Sequence, residues 1–320
     1  YLSAETAQNV TNKAFMKKQF IKNDIPTAAA IILEDYTTWK KDIQKISDFP
    51  VVVKPCDCNS SKGVVRVDEK DTLEKAVEEA FSLSRSKKVI IEQFISGREI
   101  SVDVWVEESS VRLLSVSETI KIPNDDNSFT ICQSKYPVED IGRYKSQIVD
   151  IANNIARSFA LKNCPMLIQA LINGDNIYVI EFSARMGGGT KYKLINQISG
   201  LDIMKIYVNR ILGNIEQNVH PELTDKFIEI DYLYTANGTV TDLVGFDECK
   251  KEGSISDFFQ YKMPGSVITA HKTSSDRIAG ILLIGENPSE LDNQRKFVLS
   301  KIDILDHGKS ILYRDCFNYL

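Results

Sequence analysis

Two strand-like runs separated by four turn-forming residues constrain this chain more than any other feature. Met166-Leu-Ile-Gln169-Ala-Leu-Ile172 and Ile177-Tyr-Val-Ile-Glu181-Phe-Ser183 are mostly apolar, with Asn173-Gly174-Asp175-Asn176 between them. Asn-Gly and Gly-Asp accept positive φ, so the segment predicts a tight β-hairpin. Folding it sets Gln169 opposite Glu181 to within about one residue of register. Strand side chains alternate faces, so Glu181, Ser183 and, if the strand persists, Arg185 project to one side. An acid, a hydroxyl and a guanidinium in a row, leading into Met186-Gly187-Gly188-Gly189, make poor core chemistry. They suit a metal-bound polyphosphate: the acid holds the cation and the guanidinium forks onto phosphate or carboxylate oxygens. The competing reading is an edge strand with a solvated face.

A hairpin with an acid or amide on its first strand, then Glu-Φ-Asn/Ser-x-Arg and glycines, resembles the ATP-grasp superfamily, whose members join carboxylates to amines, thiols or other nucleophiles through an acyl phosphate. Further stations follow in the order that resemblance implies. Asn12-Lys13-Ala-Phe-Met-Lys17 resembles the helix start whose first Lys reaches the nucleotide phosphates. Phe49-Pro-Val-Val-Val-Lys54-Pro55 resembles the strand whose Lys contacts the α- and β-phosphates. Asn59-Ser60-Ser61-Lys62-Gly63-Val64 resembles the flexible loop over the phosphates. Ile90-Ile-Glu92-Gln93-Phe94-Ile95-Ser-Gly97-Arg-Glu99 resembles the adenine hinge, with Glu99 placed for the ribose hydroxyls. The resemblance implies ATP and Mg²⁺ as cofactors, with Mn²⁺ as an alternative ion, and Gln169, Glu181 and Ser183 as metal ligands. Arg185 is the implied catalytic guanidinium, and Lys121, after Glu118-Thr119-Ile120, adds positive charge near the γ-phosphate.

Each station also has a reading of its own. Lys54 closes a Val-Val-Val run before Pro55, which forces an extended backbone and blocks pairing beyond it. A Lys ending a buried strand is costly unless its ammonium meets an anion, and a triphosphate supplies one; a Lys snorkelling to the surface is the plainer alternative. Lys13 lies in an ordinary amphipathic helix with Lys17 and Lys18. Ser60, Ser61 and Gly63 offer hydroxyls and close N–H groups to phosphate oxygens. Adenine recognition at Glu92–Ile95 would use main-chain atoms between apolar faces.

Composition sets broader limits. The chain has 320 residues, 43% of them hydrophobic, a net charge of −5 and a pI near 5.5, which argues against nucleic-acid or anionic-membrane partners. No apolar run reaches bilayer-spanning length and no charged-then-apolar leader opens the chain, so a cytoplasmic protein is expected. Six cysteines are scattered, with only Cys56 and Cys58 close together, and read as reduced thiols. His220, His271 and His307 are isolated and read as surface residues.

The expected fold class is α+β: an ATP-grasp fold with two α+β lobes sandwiching ATP, then a small C-terminal α/β lobe. The small lobe with its leading helix takes residues 1–95, the large lobe with the metal hairpin 96–220 and the C-terminal lobe 221–320. Helices are expected over 11–22, 71–83 (capped by Asp68 or Asp71), 148–159 and 201–212, with Asn237-Gly238 as a hairpin turn and a strand and helix over 274–299. ATP-grasp ligases normally carry an N-terminal α/β domain before the Lys13 station, so the chain reads as an excised catalytic portion. Gln169 in place of an acid resembles carbamoyl-phosphate synthetase large chains, whereas Arg185 with its glycines resembles dipeptide-forming ligases. The expected function is an ATP- and Mg²⁺-dependent carboxylate–amine ligase on small-molecule substrates, expected as a homodimer. Two alternatives stand beside it: a carbamoyl-phosphate-synthetase-like enzyme and a non-catalytic nucleotide-binding module. Biotin carboxylase is disfavoured, because its His- and Gln-rich segment is missing.

Overall fold

The chain opens with a broken helix. Helix α1 (Ala4–Thr11) stops at Asn12, whose side chain accepts from the Phe15 N–H at 3.0 Å and caps α2 (Lys13–Lys22). The helix expected from residue 11 therefore begins at Lys13. In the computed structural model, residues 4–108, 110–122, 129–214, 219–269 and 273–314 are described; His271 lies outside them. They form two compact units: Tyr1–Val116, Asp140–Gly187 and Leu201–Pro221, and Ser117–Glu139, Gly188–Gly200 and Glu222–Leu320. No described helix is long and apolar enough to cross a membrane.

Along the chain follow β1 (Ala30–Leu33), α3 (Trp39–Ile43), β2 (Val51–Pro55), β3 (Val65–Val67), α4 (Lys70–Leu83), β4 (Val89–Gln93), β5 (Arg98–Val106) and β6 (Val111–Lys121). Strands β1 to β4 make an antiparallel sheet in the order β1-β4-β2-β3. Leu73, Ala76, Val77, Ala80 and Phe81 of α4 are buried as the apolar stripe requires, in a cluster with Trp39, Val53 and Ile91. The N-cap of α4 is Glu69, without a side-chain cap bond, rather than Asp68 or Asp71. Next come β7 (Ile131–Tyr136), α5 (Ile141–Ser158), β8 (Cys164–Asn173), β9 (Asn176–Ser183), α6 (Lys191–Ser199) and α7 (Ile203–Ile211). In the first unit β8 lies between β5 and β9, all antiparallel. Phe159 meets Phe182 of β9 edge-on, with ring centroids 4.6 Å apart, and Phe182 lies 6.1 Å from Phe20 of α2. This aromatic contact anchors α2 against the hairpin.

The second unit adds β10 (Phe227–Leu233), β11 (Gly238–Thr239), β12 (Asp242–Val244), α8 (Phe246–Lys251), β13 (Asp257–Gln260), β14 (Val267–Ile268), β15 (Ala279–Gly285), α9 (Pro288–Lys301), β16 (Asp303–Asp306) and β17 (Lys309–Ser310). Its main sheet runs β13-β15-β10-β7-β6. Asn237-Gly238 is no hairpin turn. Gly238 pairs with Ile268, and a Cβ there would meet the Asp306 carboxylate at 2.7 Å, so glycine serves a close approach.

A buried ionic network joins β10 to α9. Arg295 pairs with Glu229 and, at 2.9 Å, with Asp231; Gln133 donates to both carboxylates; Lys135 reaches Glu229 at 3.5 Å. Burial, and then the neighbouring Asp231, push Glu229 up to about 7, against the pull of Arg295 and Lys135. From the ordinary value of 4.5 up to about 7 the folded chain holds a proton that the unfolded chain has lost, so stability falls as pH rises through that window. Urea unfolding at about pH 5 and about pH 7 should show this decline, at most about 1.4 kcal/mol per pH unit, and Glu229→Gln should lack it. Equal slopes in the two proteins would refute the assignment.

Candidate active site

Hairpin register builds the first wall of the site. Asn173 pairs with Asn176 across a two-residue turn, Gln169 lies opposite Glu181, and Ser183 lies opposite Leu167. A bulge beside Gln169 gives β9 one extra residue, so Ile180 joins Glu181 on the half-buried face while Val179 and Phe182 stay in the core. On the other side of β8, Ser101 faces Gln169 across the ladder, and Gln169 Nε2 approaches Glu99 at 3.5 Å. Gly97 leads into β5 because a Cβ there would lie 2.4 Å from the Ile172 carbonyl oxygen.

Helix α2 supplies the second wall. Lys13, Met16, Lys17 and Phe20 share one face by their helical spacing and meet Lys54 of β2, Ile90 and Glu92 of β4, and Ile180 and Glu181 of β9 around an open cleft. The Lys13 N–H donates to the Cys56 carbonyl at 3.1 Å, docking the helix start on the end of β2. Lys13 Nζ lies 3.2 Å from Glu181 Oε2 and donates to the Cys58 carbonyl at 2.8 Å. Deeper in the cleft, Glu92 accepts from Lys54 and lies 2.5 Å from Lys17 Nζ, which also donates to Thr27 Oγ1 and, at 3.2 Å, to the Ala28 carbonyl. Three ammonium groups thus converge on two carboxylates.

Burial alone would raise the Glu92 carboxyl, but Lys54 and Lys17 overrule it and hold the group at about 2. Burial works against the Lys54 ammonium too, yet Glu92, and beyond it Glu181 and Glu99, lift it above the ordinary lysine value. Lys17 goes the other way: burial outweighs Glu92, and the neighbouring Lys54 charge lowers it further. Lys17 is 3% exposed, and neither the plain amphipathic reading nor the phosphate stations singled it out. The available signal was its place between Lys13 and Phe20 on the apolar face.

The sequence readings of two stations change. Lys54 finds its anion in Glu92, so the buried strand end is already neutralised within the protein. Glu92 engages through its side chain, and the N–H groups of Gln93 and Phe94 donate to the Ala29 and Pro50 carbonyls at 2.9 and 3.0 Å. A nucleobase read by main-chain donors in this hinge is therefore left with the N–H of Ile95. Glu99 is nearly buried on β5.

In the phosphate-loop station, Ser60, Ser61 and Gly63 all take positive φ, at 57°, 59° and 72°, while Lys62 is exposed and Val64 donates to the Ser61 carbonyl at 3.1 Å. Non-glycine residues held there store strain, as loops at binding sites do. Asp57 anchors the loop base, accepting from the Arg85 and Ser86 N–H groups at 3.1 and 2.7 Å. Burial pushes the Cys56 thiol up to about 12, which keeps it protonated and unreactive.

Arg185 stands apart from this cluster. Strand β9 ends at Ser183, and the exposed Arg185 side chain turns onto the Met186 carbonyl at 2.7 Å. Lys121 belongs to the second unit, where its ammonium lies 4.9 Å from the Phe129 ring centroid. For a divalent cation, the donor set is Glu181, 34% exposed in its side chain, with Gln169 opposite and Ser183 two residues on. Among the described residues no group of three or more His, Cys, Asp or Glu could cage a metal. This fits Mg²⁺ bound by one carboxylate and completed by water and phosphate oxygens, and does not fit a metal held by the protein alone.

Residues 47–193 match the ATP-grasp domain family. Carbamoyl phosphate synthase large chain from Clostridium acetobutylicum is 24% identical over 59% of this chain and 17% of its own length. D-alanine–D-alanine ligase from Staphylococcus carnosus is 27% identical over 59% of this chain and 55% of its own. The chain thus spans about half of the second relative and a small part of the first. Among solved structures, an L-amino acid ligase from Bacillus licheniformis superposes with a TM-score of 0.77 at 21% identity, covering 94% of this chain and 73% of that one. A biotin carboxylase domain of 2-oxoglutarate carboxylase from Hydrogenobacter thermophilus, in complex with MgADP, ADP and bicarbonate, superposes at 0.71 with 15% identity over 93% of this chain and 67% of that one. The matched residues 47–193 include the hairpin, and the fold is shared with both solved structures.

Proposed function

We propose that the chain is the nucleotide-binding and phosphoryl-transferring part of a carboxylate–amine ligase. The observation that carries this reading is the convergence of Lys13, Lys17 and Lys54 on Glu92 and Glu181 beside the Gln169–Glu181 pair. Three ammonium groups gathered in one partly desolvated cleft favour a polyanion. MgATP would supply the phosphoryl group that activates a carboxylate as acyl phosphate. Lys13 and Lys54 would bind its phosphates, Ser60, Ser61, Lys62, Gly63 and Val64 would cover them, and Glu92 to Ile95 with Glu99 would seat the nucleoside. Glu181, Gln169 and Ser183 would hold Mg²⁺, with Mn²⁺ as a substitute, and Arg185 is the cation assigned to the developing charge.

Calorimetric titration with MgATP tests the assignment. Lys54→Ala should weaken binding by about 2–4 kcal/mol, as for truncating a charge-assisted contact, while Cys56→Ser leaves it unchanged. Equal affinity of Lys54→Ala and wild type would remove the nucleotide from this cleft. ATP binding without turnover on any amino-acid pair would favour the non-catalytic module.

A further inference from the structure

Helix α2 ends in a reversal to which the nucleotide cleft gives no role. After the cap at Asn23, Asp24 takes positive φ (54°) and the Ile25 N–H returns to the Phe20 carbonyl at 2.9 Å. Pro26 then biases the chain toward extended backbone, and it runs on without helix or strand into β1. Residues 26–30 touch both strands that carry the site. At one end the Val179 N–H donates to the Pro26 carbonyl at 2.8 Å, and Thr27 Oγ1 donates to the Val179 carbonyl at 2.7 Å. At the other end the Gln93 N–H donates to the Ala29 carbonyl at 2.9 Å, and Ala30 pairs with Glu92.

Lys17 stands where these contacts cross. Its ammonium lies 2.5 Å from Glu92 and donates to Thr27 Oγ1 at 2.5 Å and to the Ala28 carbonyl at 3.2 Å. Three ammonium hydrogens thus meet three acceptors, and the half-buried Thr27 hydroxyl accepts from Lys17 while donating to Val179. An unbroken chain of polar contacts runs from Glu92 through Lys17 and Thr27 to the backbone of β9.

Val179 is where β9 most needs support from outside its ladder. It precedes Ile180, the extra residue of the bulge, which has no partner on β8, and β9 lies at the edge of its sheet. A bulge takes its residue out of the ladder and lets the strand bend. Glu181 follows directly, so the place of its carboxylate depends on how the bulge is held. Ladder bonds do not supply this at Ile180; the two bonds at Val179 do.

We propose that Thr27 is a positioning residue: with Lys17 it fixes the spacing between Glu92 and the Glu181 strand, so that a nucleotide seated on β4 meets its metal at Glu181. This role rests on the nucleotide-binding reading of the cleft and deepens it. A hydroxyl suits the place because it accepts from the ammonium and donates to the carbonyl at once, and valine has its shape without either capacity.

Calorimetric titration of the full chain with adenosine, with ADP in EDTA and with MgADP tests the role. Thr27→Val should bind adenosine and metal-free ADP as wild type does and lose about tenfold or more in MgADP affinity, as for removing a group that orients a metal ligand. Thr27→Ser, which keeps the hydroxyl, should restore it. Thr27→Ala is read in the same way should Thr27→Val not fold. Unchanged MgADP affinity overturns the proposal. So does equal weakening of all three ligands, the mark of a general loosening of the fold. Wild type that binds MgADP no better than metal-free ADP removes the hairpin from metal binding, and the role of Thr27 with it.

Discussion

Replacing Glu181 by Gln is expected to cut Mg²⁺-dependent phosphoryl transfer by about a thousandfold while leaving the fold intact. Glu181 is the one carboxylate on the half-buried face of β9, and its neighbours Gln169 and Ser183 are neutral. A metal held by one charged ligand loses most of its protein attraction when that charge goes. Glu181 also salt-bridges Lys13 at 3.2 Å, so Glu181→Gln leaves Lys13 free to meet phosphate. Metal-free ATP should therefore bind Glu181→Gln at least as well as wild type, whereas the Mg²⁺ requirement for turnover should rise sharply. Gln169→Glu has the opposite sign, placing a second carboxylate across the ladder and tightening the ion. Turnover measured against Mg²⁺ concentration for the three proteins decides the matter. Wild-type turnover in Glu181→Gln would move the metal away from the hairpin.

The hairpin was legible because everything that defines it is local. Asn173-Gly174-Asp175-Asn176 specifies the turn, the turn specifies the register, and the register puts Gln169 opposite Glu181. The bulge was not legible: nothing in Ile180 marks it as the extra residue. The strand ends at Ser183, so the alternation that would have set Arg185 beside Glu181 and Ser183 does not reach it. The α4 stripe was local as well, whereas the helix expected from residue 11 starts at Lys13, where the Asn12 side chain caps it. By contrast, Lys17 and Glu92 are 75 residues apart and Asp231 and Arg295 are 64 apart, so no window of sequence contains either pair. A lysine on an apolar face reads as a snorkelling side chain until its acid is found. Gly238 shows the ambiguity of glycine: Asn-Gly suggested a turn, but the missing Cβ makes room for Asp306 instead.

Glu92→Gln should destabilise the first unit more than any other single polar change in the cleft, by about 3–5 kcal/mol. Glu92 is 6% exposed and serves two ammonium groups, so removing its charge leaves Lys17 and Lys54 facing each other without their shared counter-ion. Deprotonation offers the cheapest relief, and it falls on Lys17, which burial and the Lys54 charge already lower. Two consequences separate this from a simple packing defect. The loss should shrink in Glu92→Gln combined with Lys17→Met, since the deeper cation is then absent and an apolar side chain fills its place. MgATP should recover more stability in Glu92→Gln than in wild type, because its anionic oxygens take up the role that Glu92 has vacated. For wild type, Glu92 lies well below its ordinary value of 4.5, so its contribution is complete above that pH and is lost as pH falls from 4.5 toward about 2. Urea unfolding of the wild type, Glu92→Gln, Lys17→Met and the double variant, each with and without MgATP, gives the required comparison. Additive losses across the cycle would mean that Lys17 and Glu92 are independent, and the shared-carboxylate account of the cleft would fall with them.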